Sequence, residues 1–177
     1  MVAGLGAGFS GPARGAPKEY EVKAVYLYNF AKFVEWPSAA FEKPQTPYSI
    51  CVLGTDPFGQ LLDIAAAESV QGRRMTVRRL AEPKDANGCH ILFVGPSEKR
   101  KLPAILQTLG KFPTLTVGED DDFIRAGGCM RFFLLGDKVR FEINMEATEK
   151  ARLKVSAKLL SLARVVGKAD SKTEGKN

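Results

Sequence analysis

The stretch YLYNFAKFVEWP, from Tyr26 to Pro37, is apolar around most of a helix and then stops abruptly. At 100° per residue its apolar side chains fall on one broad arc, which leaves a narrow polar arc around Glu21 and Lys32. Trp36 precedes a proline, a position that disfavours the α conformation, so the helix ends there. A first core helix is the simpler interpretation, and a helix that meets a partner is the alternative. Tyr28 shares the polar arc, so we expect it to be exposed and to bind a partner.

The composition fits one folded domain. The chain has 177 residues, of which 45% are hydrophobic and 26% charged, as in an α/β domain with a sizeable core. No apolar run reaches the roughly 18 residues of a membrane-spanning helix. The net charge of +6 permits an anionic partner without requiring one. Arginines cluster at Arg73, Arg74, Arg78 and Arg79, but no aromatic side chains alternate with them, so we do not expect nucleic-acid binding.

The two ends of the chain have the composition of flexible segments. Residues 1–19 are rich in small side chains and lack the charged start and long apolar core of a complete secretory signal. They fit the remnant of a signal with a mis-assigned start, an expression scar or a plain lead-in. Residues 168–177 are polar. We therefore expect a single domain over residues 20–167, between a flexible lead and a flexible tail.

Between these ends, short apolar runs alternate with helical patterns. The predicted strands are Tyr48–Gly54, Met75–Leu80, Cys89–Val94 and Thr114–Val117. The predicted helices are Pro57–Val70 and Ser97–Gly110. This alternation predicts an α/β fold with a doubly wound, mainly parallel sheet and flavodoxin- or Rossmann-like layers.

The pattern changes after residue 129. Met130–Leu135 and Lys138–Asn144 are strand-like and flank Gly136-Asp137, the composition of a two-residue turn, so we expect an antiparallel hairpin at the sheet edge. We expect Arg140 and Glu142 to be partly exposed there and to bind a partner.

Two capping residues predict the last helices. Asn144 can cap a short helix from Met145 to about Ala151, and Ser156 can cap a final helix through Val165. Arg164, near the end of that final helix, is the remaining charged residue that we expect to bind the partner.

The chain carries little catalytic chemistry. His90, the only histidine, lies in a strand that should be buried, which favours a structural role. No phosphate-binding loop, metal motif or nucleophile paired with a base is recognisable, so we expect no enzyme activity, metal or cofactor. Ligands of open α/β sheets lie at the carboxyl edge. An alternative function is therefore a small-molecule sensor that binds its ligand near Asp56, Ser97 and Asp120.

The three cysteines leave two interpretations open. Cys51 and Cys89 lie on strands that are neighbours in a flavodoxin-like order, so they could form a disulfide if they face each other. They could equally be buried free thiols of a cytosolic protein. Cys129 is the odd one, either free or an intermolecular link.

An ordered set of motifs resembles the YfiR-like family of small periplasmic bacterial regulators. The motifs are YEVKAVYLYNFAKFVEWP (20–37), YSICVLGTDPFG (48–59), GRRMTVRRL (72–80), CHILFVG (89–95), FIRAGGCMRF (123–132) and KVRFEINMEATEKARLKVSAKLLSLARVV (138–166). No single motif is decisive, but their order covers nearly all of the expected domain.

The resemblance implies a non-enzymatic periplasmic protein that binds the extracytoplasmic domain of a membrane-bound signalling protein. In the best-studied member of the family that partner is a diguanylate cyclase, which is repressed, and other family members are fused to sensor kinases. The resemblance also implies a disulfide between Cys51 and Cys89, and we expect the protein to be a homodimer. A second family disulfide near Gly127-Gly128 is not reproduced, because Cys129 has no nearby cysteine.

Overall fold

The computed structural model describes residues 16–167, so the expected flexible lead and tail fall almost wholly outside the described residues. The α-helices are α1 (Ala16–Phe33), α2 (Gln60–Ala65), α3 (Leu102–Leu109), α4 (Met145–Lys150) and α5 (Ala157–Leu162). The strands are β1 (Val34–Glu35), β2 (Tyr48–Leu53), β3 (Met75–Leu80), β4 (Ile91–Val94), β5 (Leu115–Gly118), β6 (Met130–Leu135), β7 (Lys138–Asn144), β8 (Lys154–Val155) and β9 (Arg164–Val166).

Seven strands form one sheet in the order β3-β2-β4-β5-β6-β7-β9. Strands β2 to β6 are parallel to one another, β7 is antiparallel to β6, and β9 is parallel to β7. The first five strands therefore have a flavodoxin-like order, which confirms the predicted doubly wound, mainly parallel sheet. β1 and β8 pair separately as a small antiparallel sheet.

The sheet has a core on each face. All six residues of β2 are buried, as expected of a central parallel strand covered on both faces. Ile50 and Val52 belong to the core under α1, whereas Cys51 and Leu53 belong to the core under α3. This division follows from the two-residue period of a strand.

Local signals predicted the C-terminal elements well. Leu135 pairs with Lys138, so Gly136-Asp137 forms the expected two-residue turn, and Gly136 has a φ of +61° that glycine adopts without strain. The side chain of Asn144 accepts a hydrogen bond from the backbone of Ala147 (3.1 Å) and caps α4.

The prediction of a final helix through Val165 is wrong in its length. Ser156 caps α5 as expected, by accepting a bond from the backbone of Leu159 (3.2 Å), but the helix ends at Leu162. The next residues form β9, which pairs with β7. Val165 and Val166 are β-branched and favour an extended backbone, and β7 would otherwise present an unpaired edge at this position.

Two other helices are shorter than predicted. The helix expected over Pro57–Val70 is reduced to α2. The helix expected over Ser97–Gly110 is divided into a 3₁₀ segment, Pro96–Lys101, and α3. Pro103 has no backbone N–H to donate, and it lies in the first turn of α3, where no such donor is needed.

No α-helix connects β5 to β6. The ring of Phe123, in the connecting segment, packs on the sheet instead. Phe123 is buried in the core under α3. Gly118 and Gly128 make room for its ring, because a Cβ atom at these positions would lie 2.3 Å and 2.1 Å from Phe123 atoms. The two glycines are therefore required by close approach.

Replacing Gly128 by Ala should lower the free energy of unfolding by about 1–3 kcal/mol, the usual cost of overpacking a core. Gly110→Ala is the matched control, because a Cβ there meets its nearest atom at an ordinary 3.5 Å. It should change stability by no more than about 0.5 kcal/mol. Urea denaturation measures both variants, and equal stabilities would contradict the packing role of Gly128.

Candidate functional site

The carboxyl edge of the sheet is filled where a ligand was expected. The hydroxyl of Ser97, after β4, accepts a hydrogen bond from the backbone N–H of Thr55, after β2 (3.0 Å). A Cβ atom on Gly95 would lie 2.8 Å from the carbonyl of Thr55. The loops after these two strands thus pack directly on each other, at the point where flavodoxin-like sheets leave a crevice.

The other residues expected at this edge are bonded within the protein. Asp56 accepts hydrogen bonds from the backbone of Phe58 (2.7 Å) and from Arg79 (3.0 Å). The same guanidinium bonds Asp63 at 2.6 Å and lowers the pKa of that carboxyl. Asp120 forms an ion pair with Lys99 (2.7 Å). A ligand site formed by Asp56, Ser97 and Asp120 stays a prediction, and these internal bonds weigh against it.

A buried charge network attaches the start of α1 to this edge. Lys23 is buried and forms ion pairs with Glu19 and with Glu119, which follows β5. The hydroxyl of Tyr20 donates to Glu119 (3.1 Å), and burial together with this carboxylate raises the pKa of the phenol. This network is not recognisable in the sequence, where Lys23 resembles an ordinary surface lysine.

Tyr28 is not exposed as expected. Its side chain is only 8% exposed, its hydroxyl donates to Glu68 at 3.4 Å, and Lys32 lies over its ring at 4.4 Å. Tyr28 does lie on the same side of α1 as Lys32, as predicted. That side is covered by α2 and by the residues that follow it. The exposed apolar residues of α1 are instead Val22 and Val25.

The residues expected on the hairpin do come together. Arg131, Phe133, Arg140, Glu142 and Arg164 lie on the side of β6, β7 and β9 that faces away from α1, and we call this set the C-terminal sheet face. Arg140 is directly opposite Phe133 in the β6–β7 register, and Arg164 is opposite Glu142 in the β7–β9 register. Tyr28 is on the other side of the sheet and cannot belong to this surface.

Glu142 is buried rather than partly exposed. It is 7% exposed, and it accepts hydrogen bonds from Arg131 (2.6 Å) on one oxygen and from Arg164 (2.9 Å) on the other. Arg131 also bonds Asp121 at 2.5 Å. A buried carboxylate needs such partners, so Glu142 organises the arginines around it.

Phe133, Arg140 and Arg164, on the C-terminal sheet face, are accessible to a partner. The guanidinium of Arg164 lies 4.3 Å from the ring of Phe133, and that of Arg131 lies 5.5 Å from it. Arg140 bonds only the carbonyl of Val139 (3.2 Å) within the described residues. Arg131 and Phe133 were not among the predicted site residues, although the register set by the Gly136-Asp137 turn places them opposite Glu142 and Arg140.

A groove of about 520 Å³ lies between α3, α4 and the turn at residues 124–127. Its polar floor groups are bonded to the protein: Thr116 accepts from the backbone of Cys129 (3.0 Å), and Asn144 donates to the carbonyl of Ile124 (3.3 Å). In residues 16–167 no group of three or more His, Cys, Asp or Glu side chains is placed to hold a metal ion.

A family model described as YfiR/HmsC-like matches residues 20–164. The chain belongs to this family. Proteins of the YfiR-like family are periplasmic, and they are regulators rather than enzymes. The family suggests a periplasmic regulator of diguanylate cyclase signalling. Within the described part of the chain, no helix is both long and apolar enough to cross a membrane.

Among solved structures, this YfiR-like chain is similar to a conserved domain protein from Vibrio cholerae O1 biovar El Tor str. N16961, with a TM-score of 0.52 and 12% sequence identity. The match covers 66% of this chain and 54% of that chain, so our protein spans about half the length of that one. At this identity the likeness supports the fold alone.

The disulfide implied by the YfiR-like resemblance is confirmed. Cys51 and Cys89 are bonded, with their Cα atoms 5.9 Å apart and a sequence separation of 38. Cys129 is a buried free thiol, and burial raises its pKa, so it is a weak nucleophile.

Peptide mapping of a non-reduced digest should find the Cys51–Cys89 link and an unpaired Cys129. Reduction should lower the free energy of unfolding by roughly 4 kcal/mol, the chain-entropy estimate for a loop of this length. A link from Cys51 to Cys129 would contradict the pairing.

Removing the carboxylate of Glu142 should be strongly destabilising, because it leaves Arg131 buried without its main partner. We expect Glu142→Ala to lower the free energy of unfolding by about 3 kcal/mol or more. Glu149→Ala is the control, since Glu149 is exposed on α4, and it should stay within about 0.5 kcal/mol of the wild type. Chemical denaturation distinguishes them, and a small effect of Glu142→Ala would mean that the ion network is not needed for folding.

Proposed function

We propose that this protein is a non-enzymatic periplasmic regulator that docks on the extracytoplasmic domain of a membrane-bound signalling protein, a diguanylate cyclase or a sensor kinase, and represses it. The observation that carries this proposal is the YfiR/HmsC-like match over residues 20–164. The Cys51–Cys89 disulfide supports it, because such bonds persist in oxidising compartments such as the periplasm.

The C-terminal sheet face is our candidate for the docking surface. Phe133 lies beside two guanidinium groups, and aromatic and arginine side chains are the types that most often dominate binding energy. Arg140 has no carboxylate partner in the described residues, so an acidic group of the partner could pair with it. Leu135, which is 65% exposed at the end of β6, adds apolar surface.

The residues proposed for partner binding then divide into two roles. Arg140 and Arg164 contact the partner. Glu142 acts indirectly, because it is buried and holds Arg131 and Arg164 in place. Tyr28 bonds Glu68 in the segment that follows α2 and is not proposed as a contact. The homodimer is part of the proposal as well, and the exposed Val22 and Val25 of α1 are free to form its interface.

The test uses the purified extracytoplasmic domain of the cyclase or kinase encoded next to this protein. Arg140→Glu should weaken binding by thirtyfold or more, since a hot-spot residue is worth about 2 kcal/mol or more. Its melting temperature should be that of the wild type. Lys18→Glu has the same change in charge but lies on α1, on the other side of the sheet, and should bind normally.

Two results would contradict different parts of the proposal. Normal binding by Arg140→Glu would mean that the docking surface lies elsewhere. A wild-type protein that binds neither domain, and whose deletion leaves cyclic di-GMP levels and kinase output unchanged, would contradict the function itself.

A further inference from the structure

The only histidine of the chain lies beneath a loop that crosses the amino edge of the large sheet. This loop, residues 36–47, leads from β1 to β2, and we call it the edge strap. His90 directly precedes β4 and is buried. Its Nδ1 accepts a hydrogen bond from the backbone N–H of Ser49 (3.1 Å), and its Nε2 lies 3.1 Å from the carbonyl of Ala40 in the strap.

One of these two bonds, the bond from Ser49, requires the neutral ring, whereas the bond to Ala40 can also be donated by the protonated ring. Because Nδ1 accepts from Ser49, the proton of the neutral imidazole is on Nε2, which donates to Ala40. Protonation would place a second N–H on Nδ1, facing the N–H of Ser49. One hydrogen bond would be lost, and two donors would point at each other.

Within residues 16–167, no acidic group acts on the ring to stabilise a positive charge. The ring of Phe41 stacks on the imidazole, with 4.5 Å between the ring centroids. Trp36 and Tyr48 pack edge-to-face against it, with centroid distances of 5.9 Å and 5.3 Å. Burial raises the pKa of the Tyr48 phenol, which is therefore neutral in acid as well as at pH 7. The strap's own Glu42 and Lys43 are exposed, and Cys89 is in the disulfide.

The charged side chain that shifts the pKa of His90 is Arg73, which is itself positive. Arg73 lies 4.1 Å from the ring of Phe41 and donates to the strap carbonyls of Pro44 (2.5 Å) and Thr46 (2.9 Å). Burial lowers the pKa of His90 to about 4; the bond to Ala40 opposes this shift, and Arg73 adds to it. The strap is thus held by the neutral ring of His90, by Arg73, and by Trp36, whose Nε1 donates to the backbone carbonyl of His90 (3.1 Å).

We propose that His90 is an acid-sensitive latch, whose protonation releases the edge strap from the sheet and exposes the aromatic cluster of Trp36, Phe41 and Tyr48. The latch rests on the geometry of the strap, and only its use in an acidified periplasm depends on the proposed function. When the strap is open, His90 has an ordinary pKa near 6.5. The closed strap is therefore fully stable above about pH 6.5, and the open fraction rises about tenfold per pH unit as the pH falls towards 4.

Trp36 is the only tryptophan of the chain and reports on the strap directly. Acrylamide quenching of its fluorescence should increase between pH 6.5 and 4, while far-UV circular dichroism stays constant. Hydrogen exchange provides a second measurement. The protection of the Ser49 amide, corrected for the intrinsic exchange rate, should fall about tenfold per pH unit in the same window.

Two variants test two of the attachments of the strap, those made by the His90 ring and by Arg73. His90→Asn keeps an oxygen that can accept from Ser49 but cannot be protonated in this range, so its quenching should not depend on pH. Arg73→Gln removes the bonds to the strap carbonyls and should increase Trp36 quenching already at pH 7.5.

Three results would overturn the latch. They are constant Trp36 quenching and Ser49 protection in the wild type, an unchanged pH dependence in His90→Asn, and Trp36 exposure that occurs only together with loss of the circular dichroism signal. If His90→Asn does not fold, the Ser49 exchange of the wild type decides the question alone.

Discussion

The packing of α1 on the C-terminal hairpin is the constraint on which the rest of the structure depends. The ring centroid of Phe30 lies 5.8 Å from that of Phe132 and 5.2 Å from that of Phe141. Phe132 and Phe141 are directly opposite each other on β6 and β7. Strand side chains alternate between faces, so burying this pair under α1 turns Phe133 and Arg140 to the other face. A slip of one residue would reverse both sets at once. The proposed docking surface is therefore a consequence of the aromatic core on the opposite side of the same strands.

Features that depend on a few neighbouring residues could be predicted from the sequence. The Gly136-Asp137 turn and the Asn144 cap each depend on local hydrogen bonds and backbone preferences, and both are present. The central parallel strands β2 and β4 were recognisable because burial on both faces leaves continuous apolar runs. The disulfide needed the family resemblance, since spacing alone left free thiols as an alternative.

What the sequence could not predict depends on contacts between distant segments. The burial of Tyr28 depends on Glu68, forty residues away. The burial of Glu142 depends on Arg131 in the paired strand and on Arg164 in β9. β9 itself is only three residues long, which is too short to show an alternating hydrophobic pattern. It forms because the outer edge of β7 has backbone groups with which it can pair. Periodicity gives the orientation of a side chain on its own element, but it does not reveal what packs against that side.

In this protein the strand order of the fold does not by itself indicate where a ligand or partner binds. A flavodoxin-like strand order places a crevice between β2 and β4, yet Ser97 and Gly95 close it against Thr55. Consecutive residues then attach the entrance of β4 to β2 in two different ways: Cys89 by a covalent bond to Cys51, and His90 by a hydrogen bond from Ser49. The covalent bond does not respond to pH, and the backbone pairing of the two strands does not involve the imidazole. Protonation of His90 can therefore release the strap while the sheet beneath it stays assembled, which is the separation that a local switch requires.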